Sequence, residues 1–279
     1  MLKVIALIAL LMFGTLAGLV LFPPPSSDFQ HSPLADETLK PELKAELTGI
    51  PNAASLLWQT EKQQWLIGTL APQTVMVNGS AQFAYLNPQL KRAELVPLPT
   101  SGDIADLTMI DQHLLAISAD GRLLFFSQAG EQWKFIDKRK WLKGGLIHKT
   151  AGVIWDSQTK QLYSCEREGL KRCYRGNREG QQASSFDLVM ADPNQQQSLQ
   201  EYQLGSMAWH QGNWYILSPR FSSLLKVDPQ SGQVLKISAL AQPDTAQAIA
   251  SNGKQLWLLS VTRQQPDRVK LSTIPLSTP

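Results

Sequence analysis

Apolar positions along this chain fall in short runs broken by turn-forming residues. Between residues 204 and 240 the runs LGSMAWH, NWYILS, SLLKVD and QVLKISAL are separated by QG, PRFS and PQSG. Pro229 presets φ and Gly232 accepts a positive φ, so Pro229-Gln230-Ser231-Gly232 can reverse the chain. The stretch predicts a four-stranded antiparallel meander. Parts of the same layout recur. First strands are predicted at residues 55–58, 104–110, 151–155, 205–209 and 246–250. Second strands are predicted at 64–69, 113–118, 161–166, 213–218 and 255–260, each opening on a polar residue and then almost continuously apolar. Such runs suit strands covered on both faces. Third strands follow at 75–77, 122–126, 171–174, 224–227 and 269–271, and Ala119-Asp120-Gly121 is a hairpin signal.

The repeat starts lie roughly 40 to 55 residues apart, the spacing of propeller blades. The predicted fold is therefore an all-β, five-bladed β-propeller, with a sixth, degenerate blade or a β-sandwich as alternatives. The last repeat is short of an outer strand, and residues 45–50 are placed to supply it from the other end of the chain. Residues 184–190 read as the outer strand of the third blade. The rest of the polar, glutamine-rich stretch 183–203 reads as a surface loop.

The amino terminus has a different pattern. Val4 to Phe22 is uncharged and apolar over the length that crosses a bilayer as a helix, and Pro23-Pro24-Pro25 ends it. Lys3 precedes the run, while Asp28, Asp36 and Glu37 follow it, so the bulk of the chain is expected outside the cytoplasm. A cleaved signal peptide is the rival reading. Its passable site, Thr15-Leu16-Ala17, would leave five apolar residues at the new terminus. The expected organisation is a signal anchor over residues 1–22, a proline-containing linker over 23–47 and the propeller over 48–279. The expected location is the bacterial inner membrane, single-pass, with the carboxy-terminal domain in the periplasm.

Composition changes this picture little. The 279 residues are 43% hydrophobic and 18% charged with a net charge of +3, an ordinary globular balance from which no partner follows. Eight tryptophans suit sheets with large aromatic packing.

Candidate chemistry is sparse. Cys165 and Cys173 stand on consecutive strands with Glu168-Gly169-Leu170 midway, so a hairpin turning there sets them opposite each other. An oxidising compartment favours a disulfide, and two buried thiols are the alternative. His31, His113, His148 and His210 form no metal motif, and the chain carries no G-x-S-x-G, P-loop or dinucleotide glycine pattern. Acidic residues lie near several first strands. Asp106, Asp156 and Glu166 make a possible polar site in the channel, where a divalent cation such as calcium would need several oxygen ligands. No cofactor is otherwise indicated, and surface turns are the plainer reading of such acids. Lys138, Arg139, Lys140 and Lys143, with Arg172 and Arg175 in the next blade, make a possible patch for an anionic ligand; the plainer reading is a solvated loop between blades.

The blade pattern resembles the SdiA-regulated family of bacterial β-propellers, which are often membrane-anchored. The residues that carry the resemblance are Asp103-Ile104-Ala105-Asp106-Leu107, Ala151-Gly152-Val153-Ile154-Trp155-Asp156, Gly205-Ser206-Met207-Ala208-Trp209 and Gln161-Leu162-Tyr163-Ser164-Cys165-Glu166-Arg167. Ala105, Ala151 and Ala246 depart from it, standing about where the family places glutamate. The resemblance implies the fold and the anchoring, and this departure weakens any inherited activity. The expected function is a membrane-anchored periplasmic module that binds another envelope protein or an anionic envelope component, not nucleic acid. A metal-assisted hydrolase with its site in the channel is the alternative.

Overall fold

The five near-continuous apolar runs are the second strands of five sheets: Gln64–Thr69, His113–Ile117, Gln161–Glu166, Asn213–Ser218 and Leu256–Thr262. Apart from a polar first residue in four of them and the last two residues of the fifth, they are buried throughout. Each lies mid-sheet with a neighbouring blade over each face, which is why no polar–apolar alternation is written into them. The computed structural model describes residues 32–70, 73–74, 77–78, 81–86, 93–97, 104–118, 120–130, 132–141, 150–241 and 244–276. The apolar segment 4–22 lies outside the described residues. Among those described, no helix is long and apolar enough to cross a membrane.

The inner strands Ala53–Gln59, Asp106–Ile110, Thr150–Asp156, Met207–His210 and Thr245–Ser251 pack side by side in that order, and the fifth returns to the first. The chain is thus a five-bladed propeller around a central channel. The turns between first and second strands are tight. In the fourth blade Gln211 and Gly212 both hold positive φ, +49° and +80°, the backbone of a two-residue turn whose twist matches that of the strands it joins.

The ring closes with residues taken from before the first blade. Glu42–Leu47 pairs antiparallel with the last strand, Gln265–Ile274, with Leu47 opposite Val269 and Ala45 opposite Leu271. The outer strand of the fifth blade therefore comes from the amino-terminal side, as expected, but three residues earlier than the sequence placed it. Residues 37–47, assigned above to the linker, are structured. Glu37–Leu39 adds a further, parallel strand outside Gln233–Leu240 of the fourth blade. Just upstream, Ser32 Oγ and Leu34 N lie 2.7 and 3.1 Å from the Tyr202 hydroxyl. The propeller begins well before residue 48 because the fifth blade takes its outer strand from there, and the already four-stranded fourth blade gains one more.

Three local expectations need correction. The third strand of the first blade is Gln82–Leu86, not residues 75–77; Gln73–Thr74 and Val77–Asn78 form a separate two-stranded ribbon. The basic run is not a blade-connecting loop up to Lys140, since Gln132–Lys140 is the outer strand of the second blade. Stretch 183–203 is more than a surface loop. After the outer strand Gln182–Asp187, Val189–Met190 pairs parallel with Gln233 and Val234, and Leu188, Leu199 and Tyr202 are fully buried between the third and fourth blades.

Cys165 and Cys173 stand directly opposite in register and are joined by a disulfide. Gly169, at φ +80°, and Lys171, at φ +60°, make the turn between them. The bridge is fully buried against Ala151, Leu188, Met207 and Trp214.

Candidate binding site at the channel mouth

Where the inner strands converge, space is short and one carboxylate ties the blades together. Asp106, on the inner strand of the second blade, is completely buried. Its Oδ2 accepts from Val153 N of the third blade at 3.1 Å and Met207 N of the fourth at 3.0 Å. Its Oδ1 accepts from Ser206 Oγ at 2.9 Å. That hydroxyl in turn accepts from Ile249 N of the fifth blade at 3.1 Å. One side chain thus links four blades directly or through a single hydroxyl. Gly152 makes the approach possible, because a Cβ there would lie 2.5 Å from Asp106 Oδ2 and 2.6 Å from Met207 N. Burial pushes the Asp106 carboxyl up to about 7 despite the donors around it, among them the Leu107 N–H.

The other two acids proposed for the channel lie elsewhere. Asp156 ends the inner strand of the third blade and holds its hairpin, accepting from Gln158 N at 2.8 Å and Thr159 Oγ1 at 2.6 Å. Glu166 sits at the opposite end of the same blade, paired in register with Thr150, and accepts from the Tyr174 hydroxyl. That contact and burial push the tyrosine up to about 12, burial being the larger cause. Asp106, Asp156 and Glu166 therefore do not converge. The oxygens of Asp106 already face N–H and O–H donors, an arrangement that suits a carboxylate clip and opposes a cation at that point. Among the described residues no group of three or more His, Cys, Asp or Glu side chains is placed to hold a metal.

The proposed anionic-ligand patch is distributed over two blades. Lys138, Arg139 and Lys140 are exposed on the outer strand of the second blade, and Lys143 lies outside the described residues. The arginines are engaged locally. Arg139 bonds Asp137 Oδ2 and Glu179 O, both at 2.7 Å, Arg172 pairs with Asp187 at 2.9 Å, and Arg175 bonds Ser184 Oγ at 3.0 Å. Charges on such an exposed edge oppose strand-to-strand association. His113 is exposed, and His31 and His148 lie outside the described residues. His210 Nδ1 lies 2.8 Å from Ser251 Oγ, with burial lowering its pKa.

A concave feature lies at the other ends of the inner strands, on the face that carries the first-to-second-strand turns. A cavity of about 310 Å³ opens there, with residues near the end of each of the five inner strands in its wall. Its ring of equivalent positions, each the next-to-last residue of an inner strand, is Trp58, Met109, Trp155, Trp209 and Ala250. The register fixes the equivalence: these residues stand opposite Trp65, Leu114, Leu162, Trp214 and Trp257 of the second strands. Trp58 and Trp209 are half-buried, and Trp155 is 8% exposed. Trp58 is backed by Trp65, centroids 4.9 Å apart, and Trp65 by Trp257 at 5.0 Å. Around the aromatic wall stand Gln59, Glu61, Lys62, Asp111, Gln112 and Gln128. Sequence reasoning counted these tryptophans only as packing. The available signal was the recurrence of an apolar residue followed by Trp at the ends of three predicted first strands, Leu57-Trp58, Ile154-Trp155 and Ala208-Trp209.

No protein-family model matches the chain, and no curated protein matches it in sequence. Solved structures do. A Myxococcus xanthus glutaminyl cyclase matches with a TM-score of 0.60 at 11% identity, over 86% of this chain and 100% of that one. A nidogen/laminin complex matches with a TM-score of 0.51 at 11% identity, over 82% and 87% of the respective chains. At this identity the likeness establishes the propeller fold and nothing about activity.

Proposed function

We propose that this protein is a membrane-anchored periplasmic binding module, a propeller that presents the tryptophan-walled cup at its channel mouth to a component of the cell envelope. The observation that carries the reading is the cup itself. Five inner strands bring three indoles to one register point, and Trp65, itself packed on Trp257, backs Trp58 from behind. Small-molecule sites are concave, with apolar walls and polar groups that set orientation, and this cup combines an aromatic and aliphatic wall with an almost equal share of polar surface. The central carboxylate, by contrast, is engaged in joining blades. The apolar run at residues 4–22 supports the anchor. The buried Cys165–Cys173 disulfide supports an oxidising compartment. The blade pattern also supports membership of the SdiA-regulated propellers as part of this proposal.

The test is topological. Full-length protein with a carboxy-terminal tag is expected in the membrane pellet after a carbonate wash. In spheroplasts the tag should be degraded by added protease while a cytoplasmic marker survives. Release into the wash, or a tag protected until the inner membrane is lysed, would overturn the anchoring and the compartment.

A further inference from the structure

The charge balance and wall chemistry of the cup narrow its ligand. Resting on the binding reading above, we infer that the cup takes an uncharged saccharide ring. Its apolar surface includes the indoles of Trp58, Trp155 and Trp209, set among aliphatic residues such as Leu57, Met109 and Ala250. Flat indole surface matches the C–H face of a pyranose, as aromatic side chains combine a broad apolar body with a polar edge. Next to this wall stand amides, which both donate and accept as sugar hydroxyls require. Gln59 is the most telling of them. It is 4% exposed, its Oε1 accepts from Gln64 Nε2 at 2.6 Å, and its Nε2 has no acceptor among the described residues. A buried amide N–H without a partner costs about 1–3 kcal/mol, and a turn of the Gln59 side chain toward a ligand hydroxyl in the cup would relieve that penalty.

Charge argues against ionic ligands of either sign. Glu61 and Lys62 are sequence neighbours on the rim. Asp111 has Lys160 Nζ and Arg178 Nη1 each at 3.9 Å. Lys62 Nζ already lies 5.9 Å from the centroid of Trp133, whose indole also lines the cavity. A quaternary ammonium would meet resident cations around the aromatic wall, and an anion would meet Glu61 and Asp111. A wholly apolar ligand would leave the amides without partners. The volume of about 310 Å³ sits at the lower end of the range for small-molecule sites, about 300–1,000 Å³, so a short saccharide fits better than a folded partner's surface.

The experiment is a fluorescence titration of the full-length chain in a detergent without a sugar headgroup. The probes are N,N′-diacetylchitobiose, maltose and cellobiose, with choline chloride and a Phe-containing tripeptide as competing chemistries. The inference expects saturable quenching by at least one disaccharide. That affinity should fall roughly tenfold, the equivalent of one lost contact of ordinary strength, in Trp209→Ala measured below its own thermal midpoint, which the loss of packing will lower. Trp209→Phe, which keeps an aromatic ring, should fall between the two and covers the case in which the alanine variant does not fold. Saturable quenching by choline or the tripeptide but by no sugar overturns the saccharide assignment and leaves the binding reading standing. Silence from every probe up to its solubility limit overturns the saccharide assignment and removes the cup as the support for the binding reading, while the anchoring test above is decided separately.

Discussion

Replacing Asp106 by asparagine tests how the propeller centre is held together. The network around Asp106 accommodates a proton without moving a heavy atom. When the carboxyl is ionised, Ser206 Oγ donates to Oδ1 at 2.9 Å. When it is protonated, Oδ1 donates to Ser206 Oγ, whose own hydrogen turns to Ile249 O at 3.1 Å. Oδ2 accepts from Val153 N and Met207 N in both states. Asparagine reproduces the protonated pattern, with its carbonyl toward the two N–H groups and its NH₂ toward Ser206. Burial places the folded-state pKa at about 7 against an ordinary 3.8. Between those values the folded chain keeps a proton that the unfolded chain has released, so unfolding releases a proton. Stability from this group is therefore fully present below pH 4, falls as pH rises to 7, and is level above. About three pKa units correspond to about 4 kcal/mol, or roughly 10 °C of thermal midpoint for a domain of this size. The difference in unfolding free energy, wild type minus Asp106→Asn, should fall by about this amount between pH 4 and 8 in matched denaturant melts. Carboxylates with the opposite trend, such as Glu37, lowered chiefly by Lys236 at 2.7 Å, are common to both proteins and cancel in the difference. Asp106→Ala, which strands the Val153 and Met207 N–H groups, should be destabilised at every pH. A difference between wild type and Asp106→Asn that is flat or rises with pH would refute this account of the clip.

Two further predictions concern what holds the ring together. On the closing strand, Leu47 is 8% exposed while Leu43, on the same strand, is 55% exposed. Leu47→Asp should cost about 3 kcal/mol or more by burying a charge in the fifth blade, and Leu43→Asp should stay within about 0.5 kcal/mol, compared by thermal midpoint. Similar losses from both would mean that Glu42–Leu47 does not close the ring in solution. Removing the disulfide with the Cys165→Ala/Cys173→Ala pair should cost about 2.5 kcal/mol, the loop-closure value for so short a loop. Because both sulfurs are buried, reductant should have little effect on the folded wild type and lower its midpoint only in melts; a midpoint indifferent to reductant would argue against the bridge.

Local pattern and turn chemistry made much of this legible in advance. The second strands at 64–69, 161–166 and 213–218 match to the residue, because a strand covered on both faces leaves an uninterrupted apolar run that no surface segment imitates. The cysteine pairing was readable for a similar reason, since a hairpin centred on Gly169 fixes the register around it. What failed was wherever two segments competed for one role. Residues 75–77 and Gln82–Leu86 are both apolar enough to serve as a third strand, and pairing with Gln64–Thr69, with Phe83 opposite Gly68, decided between them. The polar strand Glu42–Leu47 has no apolar run to announce it, because one face of an outer strand meets water.

By itself, then, the sequence determined the repeat, the strand type and the disulfide, all set by residues within a hairpin or two of each other. Only the tertiary structure decided the exact residues and register of the strand that closes the ring, which acid becomes the centre and which tryptophans face a cavity. Asp106 meets Val153, Ser206 and Met207, and Trp58 shares one cup with Trp155 and Trp209, only after five blades have turned full circle. Contacts across that span depend on the curvature of the whole ring, and no local pattern of residues encodes it.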